Sequence, residues 1–204
     1  MNNTLQLFPS PVFSTIIEED TSEMDISSFN LDDRGSFNLV LNDNSEVDWR
    51  VLKKYPRVEQ IILNKFKEVC DNILHYTQDF IITTSWITEM KQGGSIDWHS
   101  HKNSFYSGIY YFKTYDTQSG SILFDNPLRD IKSYYIFPEK QDLMTSETWE
   151  IFPENKNLIF FPSYLRHKVL SHKSNFSRYS LACNICPIGS YGEKDNMIDT
   201  SWYK

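Results

Sequence analysis

The sequence predicts a mainly β, α+β fold: a double-stranded β-helix, or jelly roll, with one main helix packed outside it. Three observations lead there. A single long segment carries helical periodicity, about seven short β-rich segments follow it, and no further helices alternate with those segments. Alternating helices would indicate a parallel α/β fold, whereas strands in succession pair antiparallel. A sandwich or barrel covered by one helix then buries both apolar surfaces. At 204 residues the chain is read as one domain, residues 1–204, long enough to bury a core without disulfides.

The elements follow in order. LFPSPVFSTII alternates apolar residues around two prolines, a pattern an edge strand tolerates. Residues 18–50 are rich in Asp, Asn and Ser and read as loops with short strands such as Ser36 to Leu41. From Pro56 the pattern changes: Val58, Ile61, Ile62, Phe66, Val69, Cys70 and Ile73 recur at spacings of three and four. Pro56 suits a first turn, where its missing N–H costs nothing. The helix runs about 20 residues on this pattern, and His75 near its end faces solvent or caps the last turn. IITTSWITEM, SGIYYFKTY, GSILFDNP, SYYIFP, TWEIFP, NLIFFPSYL and RYSLACNICP then read as strands, being β-branched or aromatic and bounded by Gly, Pro, Asn and Ser. Asp125-Asn126-Pro127 reads as a turn, and His172 as a loop residue.

Composition narrows the function classes. Hydrophobic residues at 40% and aromatics at 15% describe a folded chain. A formal charge of −7, with Lys and Arg scattered, disfavours nucleic acid as a partner. No apolar run is long enough to span a bilayer, and the N-terminus lacks the pattern of a signal peptide. Cys70, Cys183 and Cys186 form an odd set. Cys183 and Cys186 have CxxC spacing, but in an extended strand residues three apart face opposite sides, so the thiols diverge. The set fits a reducing, cytoplasmic location. Exposed edge strands leave room for a homodimer.

The chemistry concentrates in WHSHKNSFYSGIYYF, Trp98 to Phe112. His99 and His101 are two apart, so on an extended backbone their imidazoles share a side with Cβ atoms about 7 Å apart. His167 follows the strand NLIFFPSYL, and eleven residues later Arg178 opens RYSLACNI. An antiparallel barrel turns such distant strand ends into a shared cavity. Imidazole suits iron, copper, nickel or zinc rather than calcium.

This arrangement resembles the iron(II)- and 2-oxoglutarate-dependent oxygenases, specifically a family of small oxygenases of bacteria and phages. The resemblance runs through LFPSPVF, SWI, HSHKNSFYSGIYYF, GSILFDNP, FFPSYLRHKV and SRYSLACNI, leaving aside residues 18–55 and the last dozen or so. It implies that His99 is the first ligand of the HxD…H iron pattern and His167 the distal one. Arg178 matches the residue that grips the far carboxylate of 2-oxoglutarate, a task suited to a permanently charged, two-pronged guanidinium. Tyr111 matches a position that often adds a hydroxyl to that carboxylate.

Where the family has Asp or Glu, this chain has His101, which leaves the site one charge unit more positive than a triad containing a carboxylate. Asp97 or Asp125 stands as the alternative third ligand, with His101 then in support. A zinc-preferring three-histidine site is a further possibility. The resemblance implies a hydroxylase using Fe(II), 2-oxoglutarate and O2, coupling decarboxylation of the cosubstrate to succinate with C–H oxidation of a small-molecule or peptide substrate. Halogenases of this kind carry a small residue where the carboxylate was; His101 is not small. The alternative from another class is a non-catalytic jelly-roll binding module with structural or zinc-bound histidines. The prime substrate stays open, and the loops expected to frame it are residues 18–55 and 128–150.

Overall fold

The computed structural model describes residues 9–25, 27, 31–34, 37–43, 46–113, 115–129 and 138–201. Strands β1 (Phe13–Ile16), β2 (Leu31–Asp33), β3 (Asn38–Asp43) and β4 (Glu46–Asp48) precede the helix α1 (Pro56–Val69). Then come β5 (Asp79–Met90), β6 (Ile96–His99), β7 (Tyr106–Tyr110), β8 (Ile122–Asp125) and β9 (Thr148–Ile151). The chain continues with β10 (Asn157–Pro162), β11 (His167–Val169), β12 (Arg178–Ile188), β13 (Ser190–Tyr191) and β14 (Ile198–Asp199). The expected strand SYYIFP falls almost wholly outside the described residues.

Two antiparallel sheets face each other. The larger runs β1-β10-β7-β12-β5-β3-β2 with β4 on β3, and the smaller runs β6-β11-β8-β9. β1 lies at the edge of the larger sheet, where its flanking prolines remove no ladder hydrogen bond. The period-two alternation of the strands sorts their side chains to the two faces of the larger sheet. Tyr106, Tyr110, Leu158, Phe160, Leu181, Cys183 and Ile185 point to α1, whereas Ile109, Tyr111, Ile159 and Phe161 point to the smaller sheet. The first set joins the helical stripe Val58, Ile61, Ile62 and Phe66 in one core. Phe66 is its centre, with ring centroids of Phe80, Tyr106 and Phe160 at 5.0, 5.1 and 5.2 Å. The strands approach closely at Gly108, where a Cβ would lie 2.9 Å from Cys183 Sγ.

The helix departs from its expected course at the end. After Val69 a wider, π-helical turn spans Cys70–Leu74 and closes at His75, whose φ is 58°. The extra residue per turn rotates the stripe, so Ile73, expected on the buried face, is 56% exposed and Leu74 packs in its place. Cys183 is buried in the core while Cys186, half-buried, lies on the opposite face of β12, as the strand reading of LACNIC requires. Among the described residues no helix is long and apolar enough to cross a membrane.

Candidate metal and cosubstrate site

The two short strands that sequence periodicity overlooks, β6 and β11, do most of the positioning. Their ladder pairs His99 directly with His167. His101 lies two residues beyond β6, with its N–H donating to Ser163 O at 2.9 Å. The three rings converge: centroids are 4.3 Å apart for His99 and His167, 5.4 Å for His99 and His101, and 5.2 Å for His101 and His167. One ring nitrogen from each lies within 4.8 Å of the others.

Backbone contacts decide which nitrogens those are. His99 Nδ1 lies 2.8 Å from Asp97 O, and His167 Nδ1 lies 2.9 Å from Leu165 O. A carbonyl can only accept, so both Nδ1 atoms carry the proton and both Nε2 atoms keep a lone pair. Burial first, then the neighbouring His99 and His101, lowers the pKa of His167 to about 3. His101 is lowered too, again chiefly by burial. Burial therefore keeps His101 and His167 as neutral imidazoles, the form that binds a first-row divalent metal.

The candidate aspartates lie elsewhere. Across from β11 the register slips between His167 and Val169, because Val169 pairs with Ile96. That irregularity breaks the parity of β6: Ile96 lines the histidine cavity with His99, and Asp97 turns outward, accepting the N–H of Trp98 at 2.8 Å. Asp125, at the end of β8, is paired with Arg129 at 3.0 Å and Arg166 at 3.5 Å. Among the described residues neither belongs to the convergent group.

The histidines open into a cavity of about 410 Å³ whose far wall holds Arg178. Arg178 is 2% exposed and begins β12 opposite Met90. Its guanidinium lies 5.3 Å from the centre of the Tyr111 ring, and Nη1 is 3.7 Å from Met90 Sδ. Among the described residues it has no carboxylate partner, and Arg178 Nε and the Tyr111 hydroxyl are both buried without a hydrogen bond. Tyr111 is fully buried and its pKa is raised by that burial, with Arg178 opposing, so the phenol stays a neutral donor. An uncompensated buried cation is costly, and a π face offsets only part of that cost. Arg178 thus presents donors to an anion inside the cavity, with Tyr111 buried beside its guanidinium. A larger, open hollow of about 630 Å³ at Phe112, Lys113 and Phe176 contains none of these groups.

Sequence reading overlooked Asn184, Ser107 and Trp86, which surround His101. The signal for Asn184 was available, since Arg178, Ser180, Ala182 and Asn184 share one face of β12 at period two. His172 does sit in a loop, but fully buried: its Nε2–H donates to Phe176 O at 2.6 Å, fixing the bend before Arg178.

Comparisons with known proteins follow the same lines. The family described as "Putative 2OG-Fe(II) oxygenase" matches residues 84–184, a span holding all three histidines, Tyr111 and Arg178. No curated protein matches the sequence. Among solved structures, HygX from Streptomyces hygroscopicus, with nickel, 2-oxoglutarate and hygromycin B bound, is similar with a TM-score of 0.60 at 10% identity. That likeness covers 87% of this chain and 83% of HygX. A Pseudomonas putida prolyl-4-hydroxylase is similar with a TM-score of 0.54 at 11% identity, over 88% of this chain and 94% of the other. The α-ketoglutarate-dependent epimerase SnoN from nogalamycin biosynthesis has a TM-score of 0.58 at 7% identity, over 90% of this chain and 82% of its own. At such identities the likeness is one of fold, the jelly roll of these oxygenases. The family match over residues 84–184 and the fold agree: this chain is similar to the Fe(II)/2-oxoglutarate-dependent oxygenases.

Proposed function

We propose that this protein is an Fe(II)- and 2-oxoglutarate-dependent hydroxylase acting on a small molecule or peptide. The observation that carries the reading is Arg178, a buried guanidinium with no carboxylate partner among the described residues, facing a cavity that also holds three convergent imidazoles. A dicarboxylate supplies what each end lacks.

In this reading His99, His101 and His167 hold the metal through Nε2, and Asp97 and Asp125 do not. Arg178 binds the far carboxylate of 2-oxoglutarate through two parallel hydrogen bonds. Tyr111 donates its hydroxyl to the same group, satisfying an oxygen otherwise buried alone. When bound, iron with 2-oxoglutarate and O2 supplies the oxidising chemistry, which turns the cosubstrate into succinate and carbon dioxide and a substrate C–H into C–OH. The chain's own work is orientation and exclusion of water. Ile109, Ala182 and Val169 line the cavity with apolar surface, while the carbonyls of Asp97 and Leu165 stop two ligand rings from turning.

Purified protein given Fe(II), 2-oxoglutarate and ascorbate should form succinate slowly even without its prime substrate. His99→Ala and His167→Ala should abolish that turnover. Arg178→Ala should raise the KM for 2-oxoglutarate at least about 30-fold, corresponding to the roughly 2 kcal/mol or more that a truncated buried charge pair costs. Arg178→Lys should recover only part, because an ammonium lacks the fork. Unchanged turnover in all these variants would refute the assignment. Iron content of His101→Ala beside Asp97→Ala and Asp125→Ala tests the third ligand, and loss in an aspartate variant alone would displace His101.

A further inference from the structure

A line of polar side chains runs from His101 into the larger sheet. His101 Nδ1 lies 2.7 Å from Asn184 Oδ1 and 2.9 Å from Ser107 Oγ. Ser107 Oγ is 2.8 Å from Ser163 Oγ, the Ser163 hydroxyl donates to Ser104 Oγ at 3.0 Å, and the Ser104 hydroxyl donates to Tyr106 O at 3.0 Å. Ser107 and Ser163 are completely buried.

The last acceptor gives this line a direction. Tyr106 O cannot donate, so Ser104 spends its proton there, Ser163 spends its proton on Ser104, and Ser107 spends its proton on Ser163 or on Asn184 Oδ1, which lies 3.2 Å away. Ser107 Oγ is then left to accept, and the remaining donor facing it is His101 Nδ1–H. Asn184 agrees: its Nδ2 donates to Thr84 Oγ1 at 2.9 Å, which turns Oδ1 toward the same Nδ1–H. His99 and His167 receive the equivalent constraint from backbone carbonyls, which no substitution removes. His101 alone among the three depends on side chains.

We infer that Asn184, assisted by Ser107, is the positioning residue that makes His101 a metal ligand, by holding Nδ1 protonated and turning Nε2 to the other two histidines. The amide and hydroxyls are neutral, so His101 takes the place of a carboxylate without regaining its negative charge. A carboxylate hydrogen-bonded to a ligating histidine would make the ring more basic; an amide orients it only.

The inference rests on the proposed metal site, and metal affinity separates the two. Co(II) and Zn(II) are titrated into the full chain against a competing chelator, with the Co(II) visible spectrum as a second readout. The wild type should bind both. Asn184→Ala should weaken both about 10- to 100-fold and alter the Co(II) bands. Ser107→Ala should weaken binding less. Asn184→Asp, which keeps the acceptor, should bind at least as tightly as the wild type. Circular dichroism reports whether each variant folds. If Asn184→Ala does not fold, the comparison of Asn184→Asp with Ser107→Ala reads the same point. A folded Asn184→Ala with wild-type affinity and spectrum overturns the inference and leaves the proposed function standing. So does an Asn184→Asp as weak as Ser107→Ala, since that marks a role in packing. A wild type that binds neither metal overturns both.

Discussion

His167 bears the largest electrostatic cost of the three histidines. Its folded pKa, about 3, lies below the ordinary 6.5 because burial and two neighbouring imidazoles oppose its charge. The folded state therefore refuses a proton that the unfolded chain accepts. Its contribution to stability is complete above pH 6.5 and is lost as the pH falls toward 3. The metal-free protein should be about 2 kcal/mol less stable at pH 5 than at pH 7.5 on this account. Urea unfolding in the presence of a chelator measures it, and the difference should shrink in His167→Asn. Equal stability at the two pH values would count against a buried, neutral His167. Residue identity revealed much of this site, because His99, His167 and Arg178 are chemically conspicuous and stand at the ends of readable strands. The fate of Asp97 was not readable: a one-residue slip between β6 and β11 reverses its side, and register slips leave no mark in period-two patterns.

The one helix and the long strands were legible as elements, since each buries one face and shows the matching period. Phe66 is the test of that burial. It is fully enclosed between α1 and the rings of Phe80, Tyr106 and Phe160. Phe66→Ala should cost about 3–5 kcal/mol in unfolding free energy. Ile73→Ser, two turns later on the same sequence stripe, should change stability by no more than about 0.5 kcal/mol, because the π-helical turn has already carried Ile73 to the surface. Equal losses would mean that α1 continues unbroken. The elements that sequence patterns overlooked were the shortest: β6 has four residues and β11 three, too few to show alternation. They nevertheless deliver His99 and His167, because their role is set by pairing across the smaller sheet rather than by local propensity.

Over the whole molecule, two sheets enclose a cavity whose chemistry differs from that of the surface. The chain carries 27 acidic residues and a formal charge of −7, yet none of the described residues lining the cavity is acidic, and Arg178 and Lys102 are basic. An acidic protein with a cationic interior is well suited to hold an anionic cosubstrate against a divalent metal. The jelly roll makes this possible by bringing the end of β6, the start of β11 and the start of β12 to one place, from positions far apart in the chain. The most direct test of the account is to add Fe(II) and then 2-oxoglutarate to the metal-free protein under anaerobic conditions and record the visible absorption. A metal-to-cosubstrate charge-transfer band should appear in the wild type and be lost in His99→Ala and His167→Ala. No band at saturating Fe(II) and 2-oxoglutarate would contradict the account and favour a non-catalytic jelly-roll module.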